Sequence, residues 1–157
     1  MSSRNLKDAV PLLQEATPKI IRAYEELFPE RNLIVICTLR SNAEQARLYA
    51  KGRTEAPIGK KYILTQCDGV STFSKHNPNP KEPLAEAVDF GVVINGKYTG
   101  KDEYYYPLLD LARAQGLISG ADFKNTTRSL QELLANKKEW KDWAHVEVPG
   151  AYYKTGV

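Results

Sequence analysis

Both histidines of the chain stand in phrases that pair an imidazole with nearby carboxylates: Ser74-Lys75-His76 running on to Ala87-Val88-Asp89-Phe90, and Asp142-Trp143-Ala144-His145-Val146-Glu147. Two imidazoles and one carboxylate are a three-ligand set that suits zinc and leaves a fourth position for water, whose pKa the ion lowers to about 7. The expected ligands are His76, Asp89 and His145, and the expected chemistry is hydrolytic. Cys67 is a conceivable third ligand, but Asp89 fills that place more naturally. Water activated in this way still needs a base that takes its proton and passes it on. Asp142, three residues before His145, fits that role if it sits in the turn leading into a strand. Glu147, on the same strand face as His145, is the rival base, or equally a partner that orients an imidazole N–H. Arg40 ends an apolar run just before a capped helix, where a fixed guanidinium can hold a carboxylate or a developing oxyanion. Each of these residues also has a plainer reading: a hydrogen-bonded polar histidine, a solvated carboxylate, a surface ion pair. The three ligands lie far apart in sequence, and no short H-E-x-x-H or C-x-x-C signature joins them.

The elements that would position these residues follow from periodicity. Leu6 to Leu27 carries helical spacing, with Val10, Leu13, Ile20, Ile21, Tyr24 and Leu27 on one face and a kink or break at Pro11 and Pro18. Leu33 to Leu39 reads as a buried strand, with Cys37 a small core residue. Ser41-Asn42-Ala43-Glu44 is a capping box opening a helix that ends at Gly52. Residues 53–60 are loop, Tyr62 to Thr65 a short strand, and the proline-rich stretch 77–83 an exposed loop. Ala87 to Ile94 alternates: Val88, Phe90, Val92 and Ile94 face the core, while Asp89 lies between Ala87 and Gly91 on the other face. Helices are predicted over Tyr105 to Gln115 and Thr127 to Asn136. In the Tyr104-Tyr105-Tyr106 run, packing is expected rather than groove lining. Trp143 to Val148 is predicted as the last strand, with His145 and Glu147 sharing its non-core face. The expected fold class is α+β: a small, mainly antiparallel sheet flanked by helices.

The chain has 157 residues, 42% of them hydrophobic and 26% charged, with a formal charge of +3. That predicts one soluble domain able to bury a core without disulfides, and a charge too small and scattered to indicate a nucleic-acid partner. With no apolar h-region at the N-terminus and no run approaching a membrane span, the expectation is a protein made in the cytoplasm, without stable membrane association and monomeric by default. Cys37 and Cys67 are then expected to stay reduced.

The stretch from Thr38 to Thr54, with Arg40-Ser41, Gln45, Leu48-Tyr49 and Gly52-Arg53-Thr54, resembles the Y-R-S-x-x-x-Q-x-x-L-Y-x-x-G-R-T phrase of phage and bacterial L-alanyl-D-glutamate endopeptidases. These are grouped with the VanY-type D-alanyl-D-alanine carboxypeptidases and the zinc fold of hedgehog domains. Ser74-Lys75-His76 with Ala87-Val88-Asp89 resembles the S-x-H…A-x-D motif, and Asp142 to His145 the (D/E)-x-x-H motif. The resemblance spans nearly the whole chain. It implies Zn2+ held by His76, Asp89 and His145, with Asp142 as acid/base. Arg40 would stabilise substrate or intermediate, and Ser74 and Gln45 would support the site. It further implies a hydrolase of the peptidoglycan stem peptide: a cell-wall-degrading endolysin that waits in the host cytoplasm until released to the wall, and one peptidase domain over residues 1–157 without a wall-binding domain. Removal of terminal D-Ala on the same scaffold, or a non-catalytic envelope-binding module, are the alternatives. The sequence departs from the family between His76 and Asp89, where Asn77 to Leu84 form a longer insert, expected to be a surface excursion.

Overall fold

The computed structural model describes residues 2–153. It is a mixed helix-and-strand protein built on a small, open antiparallel sheet. Helix α1 (Pro11–Leu27) follows a 3-10 turn, with Pro11 in its first turn, where a missing N–H does no harm. It runs on through Pro18, which lies on its exposed side. Leu13, Ala16, Ile20 and Tyr24 are buried, whereas Leu27, expected inward, is 61% exposed.

Strand β1 (Arg31–Cys37) starts and stops two residues earlier than its apolar pattern suggests. Beyond Cys37 the backbone turns to other partners: Thr38 N–H donates to Ser3 O and Arg40 N–H to His76 O. Helix α2 (Asn42–Ala50) is capped by Ser41, whose hydroxyl accepts from Glu44 N–H. Glu44 itself pairs with Arg47, and the reciprocal capping box occurs instead at Ser129 and Glu132. The strand expected at Tyr62 to Thr65 does not form. A 3-10 turn occupies Lys60–Tyr62, and side chains take the following polar groups, Arg53 bonding Thr65 O and Gln45 bonding Thr65 Oγ1.

Strand β2 (Ala87–Ile94) is the central strand. One edge pairs with β1 from Asp89 to Ile94. The other is shared between β5 (His145–Glu147) at residues 87–89 and β3 (Lys97–Thr99) at residues 92–94. The two-residue β4 (Ile118–Ser119) closes the order β1-β2-β5-β4. Sequence periodicity gave no sign of β3 or β4, which are shorter than any pattern can reveal. Val88, Phe90 and Val92 enter the core with Leu33, Leu13, Ile20 and Val146. Helix α3 (Leu108–Ala114) begins after Pro107 and ends before Gly116 at positive φ. Tyr105 precedes it in a 3-10 turn, tied by its hydroxyl to β2 and β3, so the helix is shorter than expected. Helix α4 (Leu130–Ala135) starts late because Asn125 and Thr127 take positive φ and Ser129 is the cap. No helix of the described residues is long and apolar enough to cross a membrane.

Candidate metal centre

Asp89 and His145 are register partners on β2 and β5, so cross-strand geometry sets them side by side on the face opposite Val88 and Val146. A bulge at Ile36 brings Cys37, rather than Ile36, opposite Asp89. Cys37 therefore leaves the core face of Leu33 and Val35 and joins the same row. Cys37 is buried, as expected of a small core residue, but it borders the site: its Sγ lies 3.6 Å from His76 Nδ1 and 3.5 Å from Arg40 Nη2. An isolated apolar run carries no mark of the bulge. Among the described residues, ligand atoms gather as Cys37, His76 and Asp89 and as Asp89, Asp142 and His145; Cys67 lines the cleft but is in neither group. Neither cysteine is in a disulfide.

His76 comes from the loop before β2. His76 Nε2 is 3.1 Å from Asp89 Oδ1 and 3.2 Å from His145 Nδ1, and the last two atoms are 2.9 Å apart. The proline-rich insert therefore does not pull His76 away. It is tied at its start by Asn77, buried rather than exposed, whose side chain accepts from Ser74 N–H and donates to Arg40 O. At its far end Ala85 pairs with Asp8 and Val10. Ser74 also accepts from His76 N–H, supporting the same turn.

The far nitrogen of each ring fixes its tautomer. His76 Nδ1 donates to the Thr38 carbonyl (2.7 Å), and His145 Nε2 donates to Glu147 (2.8 Å), which in turn accepts from the Tyr152 hydroxyl (2.5 Å). The inward atoms are then two imidazole lone pairs and a carboxylate oxygen. Three acceptors meeting without a donor require a positive charge between them. Burial alone would lower the pKa of both rings. Asp89 outweighs it and lifts His76 to about 9, and Asp89 with Glu147 lifts His145 to about 10. Burial would raise Asp89, but the two imidazoles hold it far below the usual carboxylate range. A proton or a divalent cation answers this demand. Two nitrogens and an oxygen at tetrahedral zinc would be about 3.3 Å apart, only slightly wider than the triangle here. The donor set thus fits such an ion.

No protein-family model and no curated protein matches this chain. The centre lies at the base of a cleft of about 540 Å³, lined among others by Arg40, Ser74, Asp142, Phe123, Trp140 and Tyr152. Asp142 sits in the turn before β5, its carbonyl accepting from His145 N–H, and a carboxylate oxygen lies within 4.8 Å of ligand atoms of Asp89 and His145. Burial first, then the charge of Asp89, raise its pKa. Gly120 brackets this turn: its carbonyl accepts from Asp142 N–H, and its N–H donates to His145 O. Arg40 extends into the cleft from the loop after β1, with Nη2 3.8 Å from Asp89 Oδ2. Gln45 is fully buried, anchored to Thr65 and the Cys67 carbonyl, and accepts from Arg40 Nη1 at 3.0 Å. Glu147 faces the outer nitrogen of His145 rather than the ligand triangle and is 2% exposed, which is the place of an orienting group. Tyr152, Phe123 and Trp140 are cleft residues that sequence reasoning missed. The Tyr104–Tyr106 run packs on the core, as expected.

Proposed function

We propose that this protein is a zinc-dependent peptidoglycan endopeptidase cleaving the L-Ala–D-Glu bond of the stem peptide, a lytic enzyme that acts on the wall once released from the cytoplasm of a phage-infected host. The reading takes the fold to be that of the hedgehog and VanY-type zinc peptidases. One observation carries it: the acceptor-only triangle of His76, Asp89 and His145 at the base of an open cleft, with the Asp142 carboxylate beside it.

Zinc held there would supply Lewis acidity, activating water at neutral pH and polarising a peptide carbonyl. Asp142 takes the proton of the attacking water and delivers it to the departing amine nitrogen, while the water oxygen joins the carbonyl carbon and the C–N bond breaks. Its raised pKa suits a group that must both gain and lose a proton. Arg40, braced by Gln45, offers its guanidinium to the developing oxyanion or to a substrate carboxylate. Thr38 and Glu147 keep both imidazoles aimed.

The test is digestion of purified peptidoglycan, with and without chelator, followed by mass spectrometry of the products. Chelator-sensitive release of peptides beginning with D-Glu is the expected result. Loss of a single alanine would instead mark a carboxypeptidase, a reading to which the carboxylate-seeking Arg40 lends itself. No hydrolysis with zinc bound would leave a non-catalytic envelope-binding module.

A further inference from the structure

Trp140 is 55% exposed although Phe123 lies against it, with ring centroids 5.5 Å apart and planes only 4° from parallel. Phe123 in turn touches His145, 5.3 Å between ring centroids. Phe123 therefore backs one face of Trp140 and bridges it to the candidate metal centre, while Trp140 keeps exposed ring surface at the cleft. Ion pairs anchor the residue next to each ring. Arg128 grips Glu139, next to Trp140, through both terminal nitrogens (3.1 and 2.6 Å) and Asp122, next to Phe123, at 2.8 Å. Next to the rings, Lys124 and Glu139 line the cleft and pair at 3.5 Å, offering a donor and an acceptor.

An aromatic face edged by polar groups matches the chemistry of a pyranose ring, whose C–H face is apolar and whose rim carries hydroxyl and acetamido groups. We infer that the exposed face of Trp140, backed by Phe123, is a sugar subsite for the N-acetylmuramyl ring that carries the stem peptide. This rests on the peptidoglycan reading above and sharpens it. The L-Ala carbonyl lies one residue and one lactyl link from that ring, about 7 Å when extended. That is within the two ring-to-ring steps separating His145 from Trp140. The D-Ala–D-Ala bond lies about 17 Å from the sugar, beyond that reach in an extended stem. A sugar stacked on Trp140 therefore favours L-Ala–D-Glu, rather than D-Ala–D-Ala, at the centre.

The probes are an N-acetylmuramyl tripeptide starting L-Ala-D-Glu and the same tripeptide with an acetyl cap in place of the sugar. The chain has two tryptophans, and the second, Trp143, is buried and serves as an internal control. In NMR of the metal-stripped protein, the muramyl ligand should shift the Trp140 indole N–H and leave Trp143 unmoved, whereas the acetyl peptide shifts neither. In the zinc-loaded protein, kcat/KM should favour the muramyl substrate by about tenfold, chiefly through KM. That ratio should fall toward one in Trp140→Ala and be partly kept in Trp140→Phe. An unmoved Trp140 indole, or a ratio unchanged in Trp140→Ala, overturns the sugar subsite. Indole shifts without hydrolysis of either substrate uphold the subsite and sink the peptidase reading. Hydrolysis of both substrates at equal rates does the reverse.

Discussion

Asp89 Oδ1 stands 2.9 Å from His145 Nδ1 because the two residues are direct partners across β2 and β5. The sheet, not a flexible loop, sets the spacing of two of the three candidate ligands. Asp89→Asn preserves shape and strand pairing but removes the charge that holds the imidazoles. The variant should keep its circular dichroism spectrum and bind zinc more than about a hundredfold more weakly. Metal analysis after gel filtration, expected to show about one zinc per chain in the parent protein, checks this.

Glu147 acts on the centre only through His145 Nε2. Glu147→Gln should leave the fold intact and weaken zinc binding about 10- to 100-fold, with Tyr152→Phe giving a smaller loss in the same direction. Competition against a chromophoric chelator measures both. Equal affinity in Glu147→Gln and parent would remove the orienting role.

Asp142→Asn separates binding from chemistry. Hydrolysis should fall by roughly 10²–10⁴-fold while the zinc content stays near that of the parent. Parental hydrolysis rates in this variant would show that another group carries the proton.

How far this site was legible in advance depended on the kind of element. The alternation of Val88, Asp89, Phe90 and Val92 declared both faces of β2, and His145 and Glu147 sharing a face followed from a two-residue period. The loop carrying His76 had no such rule; its placement came from the resemblance and the geometry alone. The burial of Cys37 was legible, but its place beside His76 was not, because a bulge inverts its side without altering composition. Phe123, Trp140 and Tyr152 were missed because they reach the cleft from irregular segments, where spacing carries no directional information. The strand expected at Tyr62 to Thr65 gives way to a 3-10 turn over Lys60–Tyr62, and the Thr65 carbonyl accepts from Arg53 rather than from a neighbouring strand.

Gly120 tests the turn that aims Asp142. A Cβ there would strike the Asp142 carbonyl oxygen and come within 2.9 Å of His145 Cβ. Gly120→Ala should therefore cost about 1–3 kcal/mol of stability and also depress hydrolysis. Urea unfolding and an activity assay on the same preparation check the two effects together.

Asp122 supplies a pH-dependent share of stability. Burial works against its charge, but Arg128 and Thr126 outweigh burial and hold its pKa below the usual carboxylate value. A depressed folded pKa means that the stabilisation is complete above about pH 4 and is lost as pH falls through the folded value. Asp122→Asn should lower Tm at neutral pH. The Tm gap between variant and parent should narrow as pH drops from about 5 toward 2. A gap independent of pH would mean that shape, not charge, sets the contribution of Asp122.

The segment from Asn77 to Ala85 is fastened at both ends, by the Asn77 amide at one and by Asp8 and Val10 at the other. The number of residues between the fastenings is therefore decoupled from the approach of His76 to Asp89. Such a stretch is a spacer between two anchors, and its length need not be matched to the centre that it flanks.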